Sequence, residues 1–359
     1  MIMLYSLNDI CVIPAVVSNI KHRSSCNPYM ENGMLPLFTA PMSSVINQHN
    51  YSVFQNNKIN TIIPRTVPYD ERLSLCNKTF VAFGLSEAEK LLDLSPDDTI
   101  VSHPLYVCID IANGHMKCLI DLCTKLKNMF NNKIILMAGN IANPDTYTHY
   151  ALAGVDYIRC GVGGGSACLT SANTSIAYPM GSLIKEICSI RASMRKMDSY
   201  KYKSIPYIVA DGGFDNYDKI IKALAIGADY VMIGKLFAQC EEACGEVVIE
   251  RVLNKVIDTE IINNSMCQVF RERYSIVKNR KYYGMSTKRA QSEMGNSCPK
   301  TAEGIETVVP IKHTLSGWCE NFVDYLRSAM SYTNSLDLEA FKNVEIKLCS
   351  SSGYMSYYK

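Results

Sequence analysis

The feature that most constrains this chain is a short recurring unit: a β-branched apolar run, a turn of Gly, Asn or Asp, then a longer stretch with helical spacing. The runs are Leu35–Ala40, Thr61–Pro64, Tyr106–Asp110, Ile134–Gly139, Tyr157–Gly161, Tyr207–Asp211 and Tyr230–Gly234. Continuous apolar runs of this length suit strands buried on both faces, as a parallel sheet requires. Between them, Asp145–Ala153 and Asn216–Ala225 have helical periodicity, and each is followed by Gly-Val-Asp or Gly-Ala-Asp leading into the next strand. The pattern predicts an α/β fold, a (β/α)₈ TIM barrel, in which the loops after the strands share one face and carry the chemistry.

Polar or glycine-rich residues stand at those strand ends: Asp110-Ile-Ala-Asn113, Gly139-Asn140, Gly161 to Cys168, Asp211-Gly-Gly213 and Gly234-Lys235. After the last run the pattern changes. Residues 246–305 read as an inserted hairpin and a mobile flap, with a disordered surface loop as the alternative for Ser286–Thr301. A helix over Trp318–Tyr332 returns to the barrel, which gives a single catalytic domain over 1–345 and a C-terminal tail over 346–359.

Charge and cysteine content narrow the function classes. The 36 basic residues nearly cancel the 34 acidic ones, so there is no electrostatic reason to expect nucleic acid or an anionic membrane as partner. Fifteen cysteines in a chain of this size, odd in number and without regular spacing, fit a reducing compartment better than a disulfide framework. Asp9 interrupts the apolar start, and the longest apolar stretch, Ile220 to Gly234, carries Lys222 and Asp229 and is too short to span a bilayer. These features predict a cytoplasmic protein without a membrane partner.

The most informative segment is Gly161-Val-Gly-Gly-Gly-Ser-Ala-Cys168. Its glycines let backbone amides and carbonyls approach a ligand closely, and a cysteine closing such a loop can serve as a nucleophile. A tight turn with a small buried cysteine is the alternative. Asp211-Gly-Gly213 and Gly234-Lys235 suit the phosphate cradle that barrels build after their last strands, with Lys235 as a point charge or merely a solvated lysine. Cys240 and Cys244 have i, i+4 spacing and read as a buried helix face, since no further ligand pair accompanies them.

Taken together, CIDIANGH (108–115), AGN (138–140), GVDYIRCGVGGGSACLT (154–170), AYP (177–179), VADGG (209–213), GADYVMIGK (227–235), YYGMS (282–286) and AEGIETVVPIK (302–312) resemble the IMP dehydrogenase/GMP reductase family of purine nucleotide oxidoreductases. The resemblance runs from about residue 5 to 345, and LRSAMSYTN (326–334) stands where the family has its closing helix. It implies a purine nucleotide substrate (GMP or IMP), a nicotinamide cofactor and a thiolate, Cys168, that adds to C2 of the base. It further implies that Met42, Ser166, Asp211, Gly212, Gly213, Gly234 and Lys235 hold the nucleotide, with Asp211 on the ribose. Tyr283 or Tyr282, Gly284, Met285 and Ser286 would close over it, Lys300 would stand at a nucleotide contact, and Gly304 would follow the catalytic Glu303.

On the cofactor side the resemblance implies Arg65, Asp110, Ala112, Asn113 and Asn140. A monovalent cation such as K+ would take carbonyls of Gly163, Gly165 and Cys168, and the family is usually a homotetramer.

The resemblance is closest to the reductase: NADPH-dependent conversion of GMP to IMP and ammonia, with Thr170 and Glu303 assisting proton transfer. The flap is short, its single arginine, Arg289, is followed by Ala290 and not by the dehydrogenase's tyrosine, and only about forty residues separate Arg65 from Cys108. The alternatives are an IMP dehydrogenase without the regulatory module, in which Arg289 or a Thr170-linked relay activates water, and a catalytically silent nucleotide-binding protein.

Overall fold

A computed structural model describes residues 4–95, 103–196, 205–262, 265–299, 301–342 and 344–349, with the backbone alone for 255–262 and 265–270. A short strand β1 (Ile10–Val12) precedes eight parallel strands: β2 (Leu37–Thr39), β3 (Ile62–Ile63), β4 (Phe80–Phe83), β5 (Leu105–Asp110), β6 (Ile134–Ile141), β7 (Tyr157–Cys160), β8 (Tyr207–Asp211) and β9 (Tyr230–Ile233). Each pairs with its chain neighbour from β3 to β9, and β9 pairs with β2. The circle closes where Asn60, just before β3, exchanges backbone bonds with β2: the Thr39 amide donates to Asn60 at 2.9 Å and the Asn60 amide to Leu37 at 3.1 Å. The chain is a (β/α)₈ barrel. Seven of its strands coincide with the apolar runs of the sequence; β4, Phe-Val-Ala-Phe, was missed although Gly84 follows it, because this four-residue run holds a single β-branched residue, Val81.

The strands have chemically distinct ends. Phe80, Tyr157, Tyr207 and Tyr230 each open a strand, and with Phe38 and Tyr106 their rings pack edge to face or tilted, 5.0 to 5.8 Å apart, as a plug at the N-terminal end of the barrel. At the opposite ends stand Asp110, Asn140 and Asp211. Apolar rings close one mouth and polar groups open the other.

The outer helices follow the sequence signals. Lys117–Phe130 buries Leu119, Leu122, Cys123, Leu126 and Phe130, one stripe at helical spacing. Thr146–Ala153 and Tyr217–Ile226 end at Gly154 and Gly227, whose positive φ values (+87° and +125°) reverse the chain. The repeated Gly-x-Asp then has a physical reason. Asp156 accepts the Leu136 amide at 2.7 Å, and Asp229 accepts the Ile208 amide at 2.7 Å, so each aspartate ties its loop back onto the preceding strand. Lys127 (2.9 Å) pairs with Asp156, and Arg191 and Lys342 (2.8 Å) pair with Asp229.

Beyond the barrel, β10 (Val247–Ile262) and β11 (Ser265–Tyr283) form a long antiparallel hairpin, extended by β12 (Glu306–Pro310). Arg280 fastens its root: buried, it donates to the carbonyls of Ala238 (2.7 Å), Gly245 (3.1 Å) and Glu241 (3.1 Å). Cys240 and Cys244 do not share a helix, since the helix Lys235–Ala238 stops before them; both are pinned by backbone carbonyls. The closing helix, Leu315–Tyr332, starts three residues earlier than expected because Thr314 caps it, accepting the Gly317 amide.

The expected tail begins instead as a strand: β13 (Ile346–Leu348) pairs antiparallel with β1, while 350–359 lie outside the described residues. No described helix is long and apolar enough to cross a membrane. Phe38→Ala would empty the centre of the aromatic plug and lower unfolding stability by about 3–5 kcal/mol, measurable by chemical denaturation.

Candidate active site

The glycine loop after β7 owes its course to two positions. Gly161 (φ +127°) lies so close to the Asp211 carbonyl that a β-carbon would come within 2.3 Å of it, and at Gly163 (φ +75°) one would come within 2.4 Å of Ser171. The loop therefore presses its backbone against the end of β8. Cys168 emerges from it half-buried.

A chain of polar groups leads away from the thiol. Cys168 Sγ lies 3.3 Å from Thr170 Oγ1, which donates to Glu303 Oε2 at 2.8 Å. Glu303 comes from the far side of the flap, and backbone bonds bring it here: the Leu169 amide donates to the Glu303 carbonyl at 2.7 Å and the Ile305 amide to the Ala167 carbonyl at 3.0 Å. Cys168 and Gly304 are thus paired as in a two-residue antiparallel sheet. The three residues expected to carry catalysis stand in one hydrogen-bonded line, which can relay a proton between a group bound at Cys168 and the Glu303 carboxylate.

Across a cavity of about 450 Å³ from this line stand Arg65, Asp110, Ala112 and Asn140, with Met42, Gly284, Met285 and Ser286 among the other walls. Between them lies Arg159, itself lining the cavity, which the sequence reading passed over. It is buried, pairs with Asp110, and donates to Asp211 from Nη2 at 2.8 Å. Asn140 Nδ2 donates to the same Asp211 oxygen at 2.7 Å and to the Gly161 carbonyl at 2.9 Å. Burial opposes the Arg159 charge, but Asp110 and Asp211 outweigh it and hold the guanidinium firmly protonated. One signal could have found it: an arginine inside an otherwise apolar barrel strand needs buried carboxylates.

An adjoining pocket of about 300 Å³ is walled largely by backbone, from Gly164–Ser166, Gly212, Gly213 and Gly234, with Lys235 at its edge. A β-carbon at Gly234 would come within 2.9 Å of Tyr282 Oη and 3.0 Å of Met42 Sδ, so glycine keeps this wall thin. Tyr282 lines both pockets, and burial pushes its hydroxyl up to about 12, leaving it a neutral donor at physiological pH.

Tyr283, the other candidate, turns away: its hydroxyl lies 3.1 Å from Ser43 Oγ and donates to Glu293 at 2.9 Å. Asn113 does not line the cavity, its side chain capping the His115 amide at 3.1 Å. Lys300 lies outside the described residues. From the flap helix Lys288–Glu293 and its end, Gln291 and Met294 line the cavity, which sequence reasoning missed because the flap showed no core pattern. Among the described residues no group of three or more His, Cys, Asp or Glu could hold a metal ion.

The family model for the IMP dehydrogenase / GMP reductase domain matches residues 99–356. The chain belongs to this family. Curated relatives named GMP reductase include one from Vibrio cholerae, 29% identical over 265 residues, covering 73% of this chain and 66% of that protein. Another, from Photobacterium profundum, is 27% identical over 317 residues (85% and 80% covered), and one from Caenorhabditis elegans is 24% identical over 314 residues (85% and 78%). The chain thus spans 66% of the length of the Vibrio relative.

Arg159→Leu would leave two carboxylates buried without their counter-charge and cost about 3–5 kcal/mol. Chemical denaturation of the variant beside the wild type at pH 7 would measure the loss.

Proposed function

We propose that this chain is a GMP reductase, converting GMP to IMP and ammonia with NADPH through a covalent bond between Cys168 and C2 of the purine. The observation that carries the proposal is the hydrogen-bonded line Cys168–Thr170–Glu303 beside a cavity continuous with a backbone-walled pocket.

In this reading the nucleotide phosphate rests against Ser166, the Gly212-Gly213 turn and the Gly234-Lys235 turn, where backbone amides and the Lys235 ammonium supply positive field, the second lysine of the pocket, Lys219, being paired with Asp215. Asp211, held by Arg159 and Asn140, accepts from the ribose hydroxyls. The purine C2 then lies over Cys168.

The Cys168 thiolate adds to C2 while Glu303, through Thr170, delivers a proton to the departing amine. The C2–N bond breaks and ammonia leaves, so that C2 remains bonded to sulfur. The nicotinamide, when bound, supplies hydride to C2. The C2–S bond then breaks with its electron pair returning to sulfur, IMP is released, and Cys168 is regenerated. Arg65, Asp110 and Ala112 form the wall toward which the cofactor would lie. Arg65 lines this wall, with its buried Nε turned to the Glu87 carboxylate at 3.6 Å.

The cation expectation fits less well. The Gly163 carbonyl already accepts Ser171 Oγ at 3.1 Å and the Gly165 carbonyl accepts the Cys168 amide at 3.0 Å, so two of the three oxygens are shared with the loop's own donors. No step is routed through a cation. A homotetramer in the cytoplasm remains the assembly and place that the resemblance implies.

The dehydrogenase reading is disfavoured by Arg289. Its guanidinium is committed to Glu246, Glu293 and Glu306 at 2.9–3.1 Å and does not line the cavity, so it is not placed to activate water.

Absorbance at 340 nm should fall with GMP and NADPH, with ammonia released in equal amount, and should not rise with IMP and NAD. The opposite result would make the chain a dehydrogenase, and silence in both mixtures a binding protein. Cys168→Ala should abolish turnover while GMP still binds by calorimetry. Glu303→Gln should lower kcat on the order of 10²–10⁴-fold with KM little changed.

A further inference from the structure

Arg289 ties its own flap helix to two other segments. Nη2 pairs with Glu246 just ahead of β10 (3.1 Å), Nη1 with Glu306 at the start of β12 (2.9 Å), and Nε with Glu293 on its own helix (3.1 Å). Its guanidinium also lies over the Tyr283 ring, 4.6 Å from the centroid. Tyr283 and Glu306 face each other directly across the β11–β12 ladder, so the arginine sits on a prepared platform.

The carboxylates it gathers are otherwise a mutually repelling set. Glu246, Glu293 and Glu306 share Arg289 and, on Glu246 alone, Lys281 at 2.6 Å. Glu293 in turn accepts the hydroxyls of Tyr283 (2.9 Å) and Ser43 (3.1 Å), which ties the helix to the loop after β2. The opposite face of this helix presents Gln291 to the cavity. Glu306 stands three residues after Glu303, with the bridge residue Gly304 between them.

From this arrangement we infer that Arg289 is a positioning residue: it clasps flap helix, hairpin root and β12 together, and thereby sets Glu303 against Thr170. This rests on the reductase reading for its kinetic consequence, but the clasp itself is a property of the protein without ligands. All three ion pairs are partly exposed, so the clasp is sensitive to ionic strength.

The test is hydrogen exchange on the unliganded full chain, read at the Gln291 and Met294 amides, which are bonded to the Thr287 and Ala290 carbonyls at 2.9 and 3.0 Å. Arg289→Met should speed exchange at both on the order of fivefold, and wild type in about 1 M salt, where the screening length is about 3 Å, should approach the variant. Glu306→Gln, which keeps the arginine, should give a smaller change in the same direction and serves if Arg289→Met does not fold. Arg289→Lys should fall between.

With GMP and NADPH, Arg289→Met should lower kcat about fivefold while the GMP dissociation constant stays within about twofold. Exchange unaltered by Arg289→Met and by salt would overturn the clasp. Faster exchange with unchanged kcat would overturn its hold on Glu303. Faster exchange in a protein whose wild type turns over no GMP would uphold the clasp and overturn the reductase reading instead.

Discussion

Two backbone hydrogen bonds, Leu169 to Glu303 and Ile305 to Ala167, hold together segments that lie 133 residues apart between Thr170 and Glu303. Everything specific about the site depends on them. A side-chain contact alone between Thr170 and Glu303 would be one weak bond against the entropy of a long insertion. Main-chain pairing around Cys168 and Gly304 fixes the two loops in register first, so the Thr170–Glu303 bond forms between groups already in place. Glycine at 304 is part of this, since a β-carbon there would come within 2.9 Å of Ser286 Oγ and 3.0 Å of the Ala167 carbonyl.

The polar end of the barrel is held by charge rather than by backbone. Asp110 and Asp211 are contributed by strands that do not adjoin, and Arg159, on the strand beside Asp211, pairs with both. One buried cation shared by two carboxylates is costly to desolvate and strongly destabilising to break, so it acts as a rigid spacer between the two halves of the cavity. The nucleotide side and the cofactor side of the proposed site are therefore set apart by a single guanidinium, with Asn140 fixing the Asp211 carboxylate from the other direction.

The barrel itself was largely legible because parallel strands, buried on both faces, leave uninterrupted β-branched runs in the sequence. Gly-Val-Asp and Gly-Ala-Asp marked the helix-to-strand turns for a reason visible only in the structure, the return of Asp156 and Asp229 to the preceding strand. Cys168 stood out locally because it closes the glycine loop, whereas Thr170 and Glu303 were singled out only through the resemblance. Arg159 was not, because nothing near it in sequence states its partners; they are 49 and 52 residues away. Tyr282 and Tyr283 could not be told apart in sequence, since adjacent residues of a strand point to opposite faces and only the register of β11 against β12 decides which faces the cavity.

The long hairpin shows how an insertion of such size is carried without disturbing the barrel. Its root is fixed by Arg280, buried among the carbonyls of Ala238, Glu241 and Gly245, where burial lowers its pKa. A buried cation satisfied by carbonyl dipoles alone is directional. It accepts one orientation of β11, and that orientation delivers Tyr282 to the cavity, Tyr283 to the flap helix and β12 to its partner strand. The flap, the hairpin and the Glu303 segment are thus not independent loops, because each is aimed by the same anchored strand.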